Sequence, residues 1–195
     1  MQSLCVFCGA SAGHNPAFRE AARAFGQTLA EHQIELVWGG GHVGLMGVVA
    51  DATHAHRGKS YGVIPEFMAE RELAHPFATE MVIVDSMHTR KAAMANRAHG
   101  FVALPGGLGT MDELFEIMTW AQLHIHRKPI GLLNVNGFFD PLLGLIRHMV
   151  DAGFVKQVHL DQLHVSDDPE KLIAAMRLHR PPEGDWLAKV SPQQS

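Results

Sequence analysis

The chain has 195 residues, 47% of them hydrophobic, and its formal net charge at pH 7 is -4. This size and composition are typical of one globular domain with a sizeable core. The net charge is weakly acidic and the sequence has no long basic run that could bind along a nucleic-acid backbone, so we expect no nucleic-acid partner.

Membrane and export signals are also missing from the sequence. No stretch approaches the roughly 18 consecutive apolar residues of a membrane-spanning helix, and the first residues lack the basic flank of a signal peptide. We therefore expect a cytoplasmic protein without a membrane partner.

Strand-sized apolar runs alternate along the chain with longer segments of helical spacing. The runs cover residues 4–7, 34–38, 61–64, 81–84, 101–104, 130–135 and 163–165, and the helical segments include residues 17–31, 45–57, 88–99, 111–123 and 140–151. Because the runs are almost entirely apolar, they predict an open parallel sheet of about seven strands with helices on both faces. We expect one domain over residues 1–180 and a flexible tail over residues 181–195, which contains three prolines and ends in polar residues.

The first run contains a C-x-x-C pair, Cys5 and Cys8, which in other proteins can hold a metal ion or form a redox pair. Residues three apart in a strand point to opposite faces of the sheet, so we expect two buried core cysteines instead. The 14 histidines are scattered, with H-x-H pairs only at residues 54–56 and 124–126. No Cys or carboxylate accompanies these pairs in an arrangement typical of zinc, so we predict no metal site.

Three predicted strand-to-helix connections are rich in glycine. They are CGASAG after the first run, GGGHVGLMG after the second and PGGLGT after the fifth. In an open parallel sheet such connections lie at the carboxyl edge, where ligands bind. A helix that begins directly after glycines presents unpaired backbone N–H groups, which a small anion can approach closely. One such loop is usually a plain tight turn, but three at one edge indicate a phosphate site.

Two known nucleotide motifs fit the chain only in part. Residues 39–44, GGGHVG, match the dinucleotide pattern G-x-G-x-x-G. They follow the second strand, however, and about twenty residues on, near Lys59 and Ser60, no acid is present to hold the ribose of NAD. Residues 57–60, RGKS, resemble the end of a P-loop, but Thr53 occupies the place of the earlier glycine. A mononucleotide is the ligand that remains.

The helix predicted after the fifth run begins with T-x-x-E, from Thr110 to Glu113. This pattern is typical of a capping box, in which each side chain bonds to the backbone N–H of the other residue. The same spacing places a carboxylate about one turn from the expected phosphate site. A structural and a catalytic role for Glu113 therefore both remain open.

The helix predicted after the fourth run should begin at the same sheet edge as the glycine loops. If Asp85 or Ser86 caps this helix, Met87 and Arg90 fall on one face, with Lys91 beside them. Arginines on a helix are usually solvated, but this position also favours a role in a site.

PGGLGTMDE at residues 105–113, together with MHTRK at residues 87–91, resembles the Lonely Guy (LOG) family of cytokinin riboside 5'-monophosphate phosphoribohydrolases, often labelled lysine decarboxylases. CVFCGASAG, GGGHVGLMG, GVIPE, TWAQLHIHRKPIGLLNV and FFDPLL extend the likeness over the chain apart from its tail. The chain departs from the family pattern at Ala10, where many members have serine, and at His124, where glycine is common.

The resemblance implies a Rossmann-like fold, a homodimer, and hydrolysis of the N-glycosidic bond of AMP or an N6-substituted, cytokinin-type AMP. The products would be the free base and ribose 5-phosphate, and we expect no cofactor. The catalytic pair that it implies is Arg90 and Glu113. The expected substrate-binding residues are Gly9, Ser11, Gly40, Gly41, Met87, Lys91, Gly106, Gly107, Gly109 and Thr110.

Breaking an N-glycosidic bond builds positive charge on the ribose, which a carboxylate stabilises while it also activates the attacking water. Glu113 suits both tasks. The sequence leaves open whether Arg90 fixes Glu113 and the sugar hydroxyls or stabilises the electrons of the departing base.

Two other functions remain as alternatives. A pyridoxal phosphate decarboxylase would need a Schiff-base lysine, for which Lys59, Lys91 and Lys128 are the candidates in the middle of the chain. A non-catalytic nucleotide or cofactor carrier would share the glycine loops but would not need the pair of Arg90 and Glu113.

Overall fold

The computed structural model describes residues 1–70 and 74–182. Most of the predicted tail, residues 183–195, lies outside the described residues, so its flexibility stays a prediction, as does the single domain over residues 1–180. Within the described ranges, no helix is long and apolar enough to cross a membrane.

One parallel sheet forms the centre of the fold. In the described part of the chain its strands are β1 (Ser3–Phe7), β2 (Glu35–Trp38), β3 (Ser60–Pro65), β4 (Glu80–Val84), β5 (Phe101–Ala103), β6 (Ile130–Leu133) and β7 (Leu163–Ser166). Their order is β4-β3-β2-β1-β5-β6-β7, and every neighbouring pair is parallel. The central strands are apolar on both sides because helices cover both faces, and all residues of β1 are buried. The predicted open parallel α/β sheet is confirmed.

Helices alternate with these strands. The described helices are α1 (Pro16–Glu31), α2 (Gly44–Ala55), α3 (Glu66–Ala69), α4 (Met87–Arg97), α5 (Leu108–Gln122), α6 (Asp140–Asp151), α7 (Gln157–Asp161) and α8 (Pro169–Arg177). Ser86, one of the two predicted caps of α4, accepts a hydrogen bond from the Thr89 N–H (3.1 Å). Asn15 caps α1 and Asp168 caps α8 in the same way. The helices α3, α7 and α8 are not among the helical segments that periodicity indicated.

The core has two halves, one on each face of the sheet. On one face, α1, α2 and α8 pack against strand residues such as Leu4 and Leu36. On the other face, α4 and α5 pack against strand residues such as Phe101. Cys5 and Cys8 belong to opposite halves, and both thiols are free and buried. The prediction of two core cysteines is therefore confirmed.

The strand order creates a crevice at the carboxyl edge. The chain builds β1 to β4 toward one side, then returns and places β5 on the other side of β1. The loops after β1 and β5 therefore lead away from each other, and ligands in open parallel sheets bind at such a switch point.

Candidate active site

A cavity of about 510 Å³ lies at this switch point, a volume typical of small-molecule sites. Backbone hydrogen bonds join the connections that form its wall. The Gly9 N–H after β1 donates to the Pro105 carbonyl after β5 (3.1 Å), and the Leu45 N–H of α2 donates to the Gly9 carbonyl (2.9 Å). The three glycine-rich connections thus meet at one edge, as the sequence predicts.

Helix α5 begins earlier than the sequence predicts. Its N-cap residue is Gly107, in an extended conformation, and no side chain caps the first turn. A helical hydrogen bond runs from the Met111 N–H to the Gly107 carbonyl (3.1 Å). The N–H groups of Leu108, Gly109 and Thr110 therefore have no partner within the helix, and all three residues line the cavity. Such a helix start is suited to an anion.

The predicted capping box of Thr110 and Glu113 is wrong. Thr110 is the third residue of α5 instead of its cap, and only 4% of it is exposed. Its side chain packs on Gly106, where a Cβ would lie 2.1 Å from the Thr110 hydroxyl oxygen. Because the extended Gly107 already starts the helix, the T-x-x-E pattern falls inside it. Glu113 therefore does not serve as a cap.

Arg90 is buried, with only 6% of the residue exposed. Its Nε donates to the Val63 carbonyl of β3 (3.1 Å), and its Nη2 donates to the Gly39 carbonyl after β2 (2.8 Å). A Cβ on Gly39 would lie 1.7 Å from Nη2, so the absence of a side chain there makes room for the guanidinium. Burial lowers the pKa of Arg90, and the charge of Glu113 acts in the opposite direction. The guanidinium has five N–H groups, so donors remain for the cavity that Arg90 lines.

Glu113 lines the same cavity from α5 and is partly buried. Burial raises the pKa of Glu113 to about 7, while the positive charge of Arg90 opposes that rise. Among the described residues, Arg90 and Glu113 form no ion pair with each other, so the carboxyl is not held in its charged form by direct contact. A carboxyl with this pKa exchanges protons readily near neutral pH, as a general base requires.

Three predicted binding residues do not line the cavity. Gly40 has a φ of 72°, and the His75 N–H donates to its carbonyl (2.7 Å). The Trp38 indole N–H donates to the Gly41 carbonyl (3.2 Å). Lys91 pairs with two carboxylates of α5. The predicted residues that the cavity does bring together are Gly9, Ser11, Met87, Arg90, Gly106, Gly107, Gly109, Thr110 and Glu113.

One wall of the cavity is apolar, and the sequence did not indicate it. Phe18 and Phe138 meet edge to face with ring centroids 5.6 Å apart, and Met46 and Met68 also line the cavity. Phe138 and Met46 belong to motifs of the family likeness. Phe18 and Met68 carry no local signal, because only the packing of distant segments brings them to the cavity.

The other motifs have structural explanations. Residues 57–60, RGKS, lead from α2 into β3, whereas a P-loop leads from a strand into a helix. Among the described residues, no group of three or more His, Cys, Asp or Glu side chains could hold a metal ion. Cys8 lines the cavity, but burial, and to a smaller extent the charge of Glu113, raises the pKa of its thiol well above the ordinary value. The thiol therefore stays neutral.

Fold and site define an α/β protein with a ligand cavity at the switch point of a parallel sheet. Residues 46–176 match the family described as possible lysine decarboxylase. Cytokinin riboside 5'-monophosphate phosphoribohydrolase LOG7 of Arabidopsis thaliana is 46% identical over 188 residues, which are 96% of this chain and 86% of that protein. The probable phosphoribohydrolase LOGL5 of Oryza sativa subsp. japonica is 45% identical over 185 residues, which are 95% of this chain and 75% of that protein. The chain belongs to this LOG family.

The fold also occurs in a solved structure, the molybdenum cofactor binding protein from the phototrophic bacterium Rippkaea orientalis. The TM-score is 0.69, with 91% of this chain and 96% of that chain covered. At 17% identity, the likeness shows the fold alone. It confirms the predicted Rossmann-like architecture.

The family description raises the question of pyridoxal phosphate, whose chemistry needs a lysine amine at the site. No lysine in residues 1–70 or 74–182 lines the cavity. Lys91 pairs with carboxylates, the Lys128 ammonium donates to the Ala95 carbonyl (2.8 Å), and Lys59 lies at the opposite edge of the sheet. The residues present do not fit this cofactor.

Proposed function

We propose that the protein hydrolyses the N-glycosidic bond of AMP or of an N6-substituted, cytokinin-type AMP. Water and the nucleotide give the free base and ribose 5-phosphate. The observation that carries the proposal is Glu113, a carboxyl with a pKa of about 7, in one cavity with the buried Arg90 and the uncapped start of α5. The relatives named as phosphoribohydrolases, 46% and 45% identical to this chain, support the same reaction.

In this proposal the 5'-phosphate binds at the start of α5. The free N–H groups of Leu108, Gly109 and Thr110 supply donors, and the helix dipole favours a negative charge there. A Cβ at Gly107 or Gly109 would have no atom within 4 Å, so the backbone is open to the phosphate oxygens. The 5'-phosphate therefore supplies much of the binding energy.

The base binds against the apolar wall. Phe18, Phe138, Met46 and Met68 offer aromatic and thioether surface of the kind that packs on a purine ring. The sugar then lies between the phosphate and the base, on the side of the cavity that Arg90 and Glu113 line.

Glu113 acts in its ionised form. As the C–N bond breaks, the carboxylate offsets the positive charge on the ribose and takes a proton from the attacking water. Arg90 is fixed on two backbone carbonyls, independently of Glu113, and it stabilises the electrons that leave with the base. Its guanidinium stays protonated, so the proton that Glu113 takes from the water is the one that the departing base finally gains, and Glu113 returns to its ionised form.

We further propose a homodimer with a cytoplasmic location. Leu108 is 90% exposed and Met87 38% exposed, although both line the cavity, and a partner surface would cover them. Phe115, Met118 and Trp120 on α5 are only partly buried. A sedimentation profile of a monomer at micromolar concentration would contradict the dimer.

The alternative is a nucleotide or cofactor carrier, which the molybdenum cofactor binding protein of the same fold represents. A carrier needs the cavity and the open helix start but has no use for a carboxyl that titrates near pH 7. The relatives that are similar over nearly the whole chain bear hydrolase names, which favours catalysis.

The test is incubation of the purified protein with AMP, isopentenyl-AMP and adenosine, followed by chromatography of the bases and an assay of ribose 5-phosphate. We expect base and ribose 5-phosphate in equal amounts from the nucleotides and far slower release from adenosine, which lacks the phosphate. Tight binding of AMP without release of base would favour the carrier. Equal rates with AMP and adenosine would contradict the phosphate site.

A further inference from the structure

Lys91 links the two helices that carry the proposed catalytic pair. It follows Arg90 on α4, and its side chain is only 13% exposed. Its ammonium lies 3.2 Å from the Asp112 carboxylate and 3.1 Å from the Glu116 carboxylate on α5. Burial would lower the pKa of Lys91, but the bonds to Glu116 and Asp112 raise it above its ordinary value, so the ammonium stays charged.

The two partners of Lys91 flank Glu113. Asp112 precedes it, and Glu116 lies one turn after Asp112 on the same helix face. The charges of both acids make Glu113 harder to ionise, whereas Lys91 and Arg90 make it easier. The titratable groups that interact with Glu113 are Arg90 and Lys91 from α4, Asp112 and Glu116 from α5, the thiol of Cys5 in β1 and the thiol of Cys8 directly after β1.

We propose that Lys91 is a positioning residue that ties α4 to α5 and offsets the two carboxylate charges beside Glu113. It acts through its neighbours and not by contact with the nucleotide, since it does not line the cavity. The effect of Lys91 on catalysis rests on the hydrolase function proposed above, whereas its effect on the ionisation of Glu113 does not.

Removal of the ammonium leaves two carboxylates one turn apart, without a cation between them. Glu113 must then ionise in a more negative surrounding, so a larger share of it stays protonated near neutral pH. Charges at this range in a partly buried site shift a pKa by about 0.5 to 1 unit. Lys91→Met keeps the aliphatic stem and removes only the charge.

The first experiment is a pH profile of AMP hydrolysis for Lys91→Met. We expect the acid limb of kcat to move up by about 0.5 to 1 pH unit, with activity about 3 to 10 times below wild type at pH 6 and close to it at high pH. Lys91→Arg, which retains a cation, should keep the wild-type limb. Lys59→Met removes an exposed lysine at the opposite sheet edge and is the matched control.

Two results would overturn the proposal. A raised KM for AMP with an unmoved acid limb would make Lys91 a substrate contact. A loss of activity that is equal at every pH, together with a lower melting temperature, would leave only a structural link between α4 and α5.

A second experiment does not depend on catalysis. The free energy of unfolding is measured against pH for wild type and Glu113→Gln, and again for both proteins with Lys91→Met added. Within each pair, the advantage of the Gln variant grows with pH until Glu113 is fully ionised in the folded state. We expect this growth to end at a higher pH in the Lys91→Met pair. If AMP is never hydrolysed but this end point moves, only the proposed function fails; an unmoved end point refutes the role of Lys91.

Discussion

Two glycine-rich connections that look alike in the sequence have different surroundings in the fold. After β2, a Cβ on Gly39 would lie 1.7 Å from the Arg90 guanidinium, and Gly40 adopts a φ of 72°. After β5, a Cβ on Gly107 or Gly109 would have no atom within 4 Å. In the first connection the missing side chain of Gly39 makes room for a buried cation. In the second connection the missing side chains of Gly107 and Gly109 leave the backbone open to a ligand.

The difference shows that a glycine pattern alone does not identify a binding loop. The two connections also serve the two halves of the proposed catalytic pair. The connection after β2 accepts a hydrogen bond from Arg90, and the connection after β5 starts the helix that carries Glu113. Substitutions in the two connections should therefore separate losses of stability from losses of catalytic activity.

The largest effect on hydrolysis is expected at Glu113, on the helix that follows the connection after β5. Glu113→Gln keeps the shape of the side chain but neither takes a proton nor offsets a cationic sugar, so hydrolysis should fall by about 10² to 10⁴-fold. Binding of AMP, measured by calorimetry, should persist because the phosphate contacts that we propose lie at Gly107 to Thr110, away from the Glu113 carboxyl. Near wild-type turnover of AMP would remove Glu113 from the mechanism.

The same variant should change stability with a defined dependence on pH. The pKa of Glu113 is about 7 in the folded protein against an ordinary value of 4.5, so the folded state binds the proton more tightly than the unfolded state. Wild type therefore loses stability as pH rises from about 4.5 to 7 and loses no more above that range. At about 1.4 kcal/mol per pKa unit, the full cost is on the order of 3 kcal/mol.

Glu113→Gln removes this titration. In urea unfolding, the Gln variant should be more stable than wild type at pH 8, and the two should converge near pH 4.5. Equal stability at both pH values would mean that Glu113 has an ordinary pKa.

Much of this architecture was predictable, because strands buried on both faces need continuous apolar runs, as in β1. The positions of Arg90 and Glu113 followed from the resemblance of their motifs. The start of α5 was not predictable from T-x-x-E, since the backbone of Gly107 and not a side chain decides where the helix begins. The place of Met68 and the ion pairs of Lys91 depend on contacts between segments distant in sequence, which no local pattern records.

Gly39→Ala tests the connection after β2, where the glycine is enclosed by the Arg90 side chain. The added Cβ displaces the guanidinium of Arg90 and breaks its bond to the Gly39 carbonyl, so we expect a loss of about 1 to 3 kcal/mol of stability and reduced hydrolysis. If Arg90 is the cause, adding Arg90→Ala should cost much less in this background than in wild type, a coupling that a double-mutant cycle measures. Additive costs would contradict the assigned contact.

Gly107→Ala tests the connection after β5, where the backbone is open. Nothing lies near the new Cβ, and the φ of -99° suits alanine, so the free energy of unfolding should stay within about 0.5 kcal/mol of wild type. The Cβ intrudes where we propose that the phosphate binds, so KM for AMP should rise by about tenfold, equivalent to one lost hydrogen bond. Gly144→Ala on α6, also without a nearby atom and away from the cavity, is the control. An unchanged KM would place the phosphate elsewhere.

His124 is the opposite case to these glycines, because its backbone conformation favours glycine but the residue carries a side chain. His124 follows the last turn of α5 with a φ of 60°, a conformation that glycine adopts without strain and other residues do not.

His124→Ala keeps the Cβ and removes the ring, so it measures what the imidazole contributes. His124→Gly then removes the Cβ as well, and it should be more stable than His124→Ala by up to about 1 kcal/mol in urea unfolding. Hydrolysis should match wild type in both variants, since His124 does not line the cavity. If the glycine variant is less stable than the alanine variant, the additional backbone entropy that glycine loses on folding outweighs the strain that it relieves at this position.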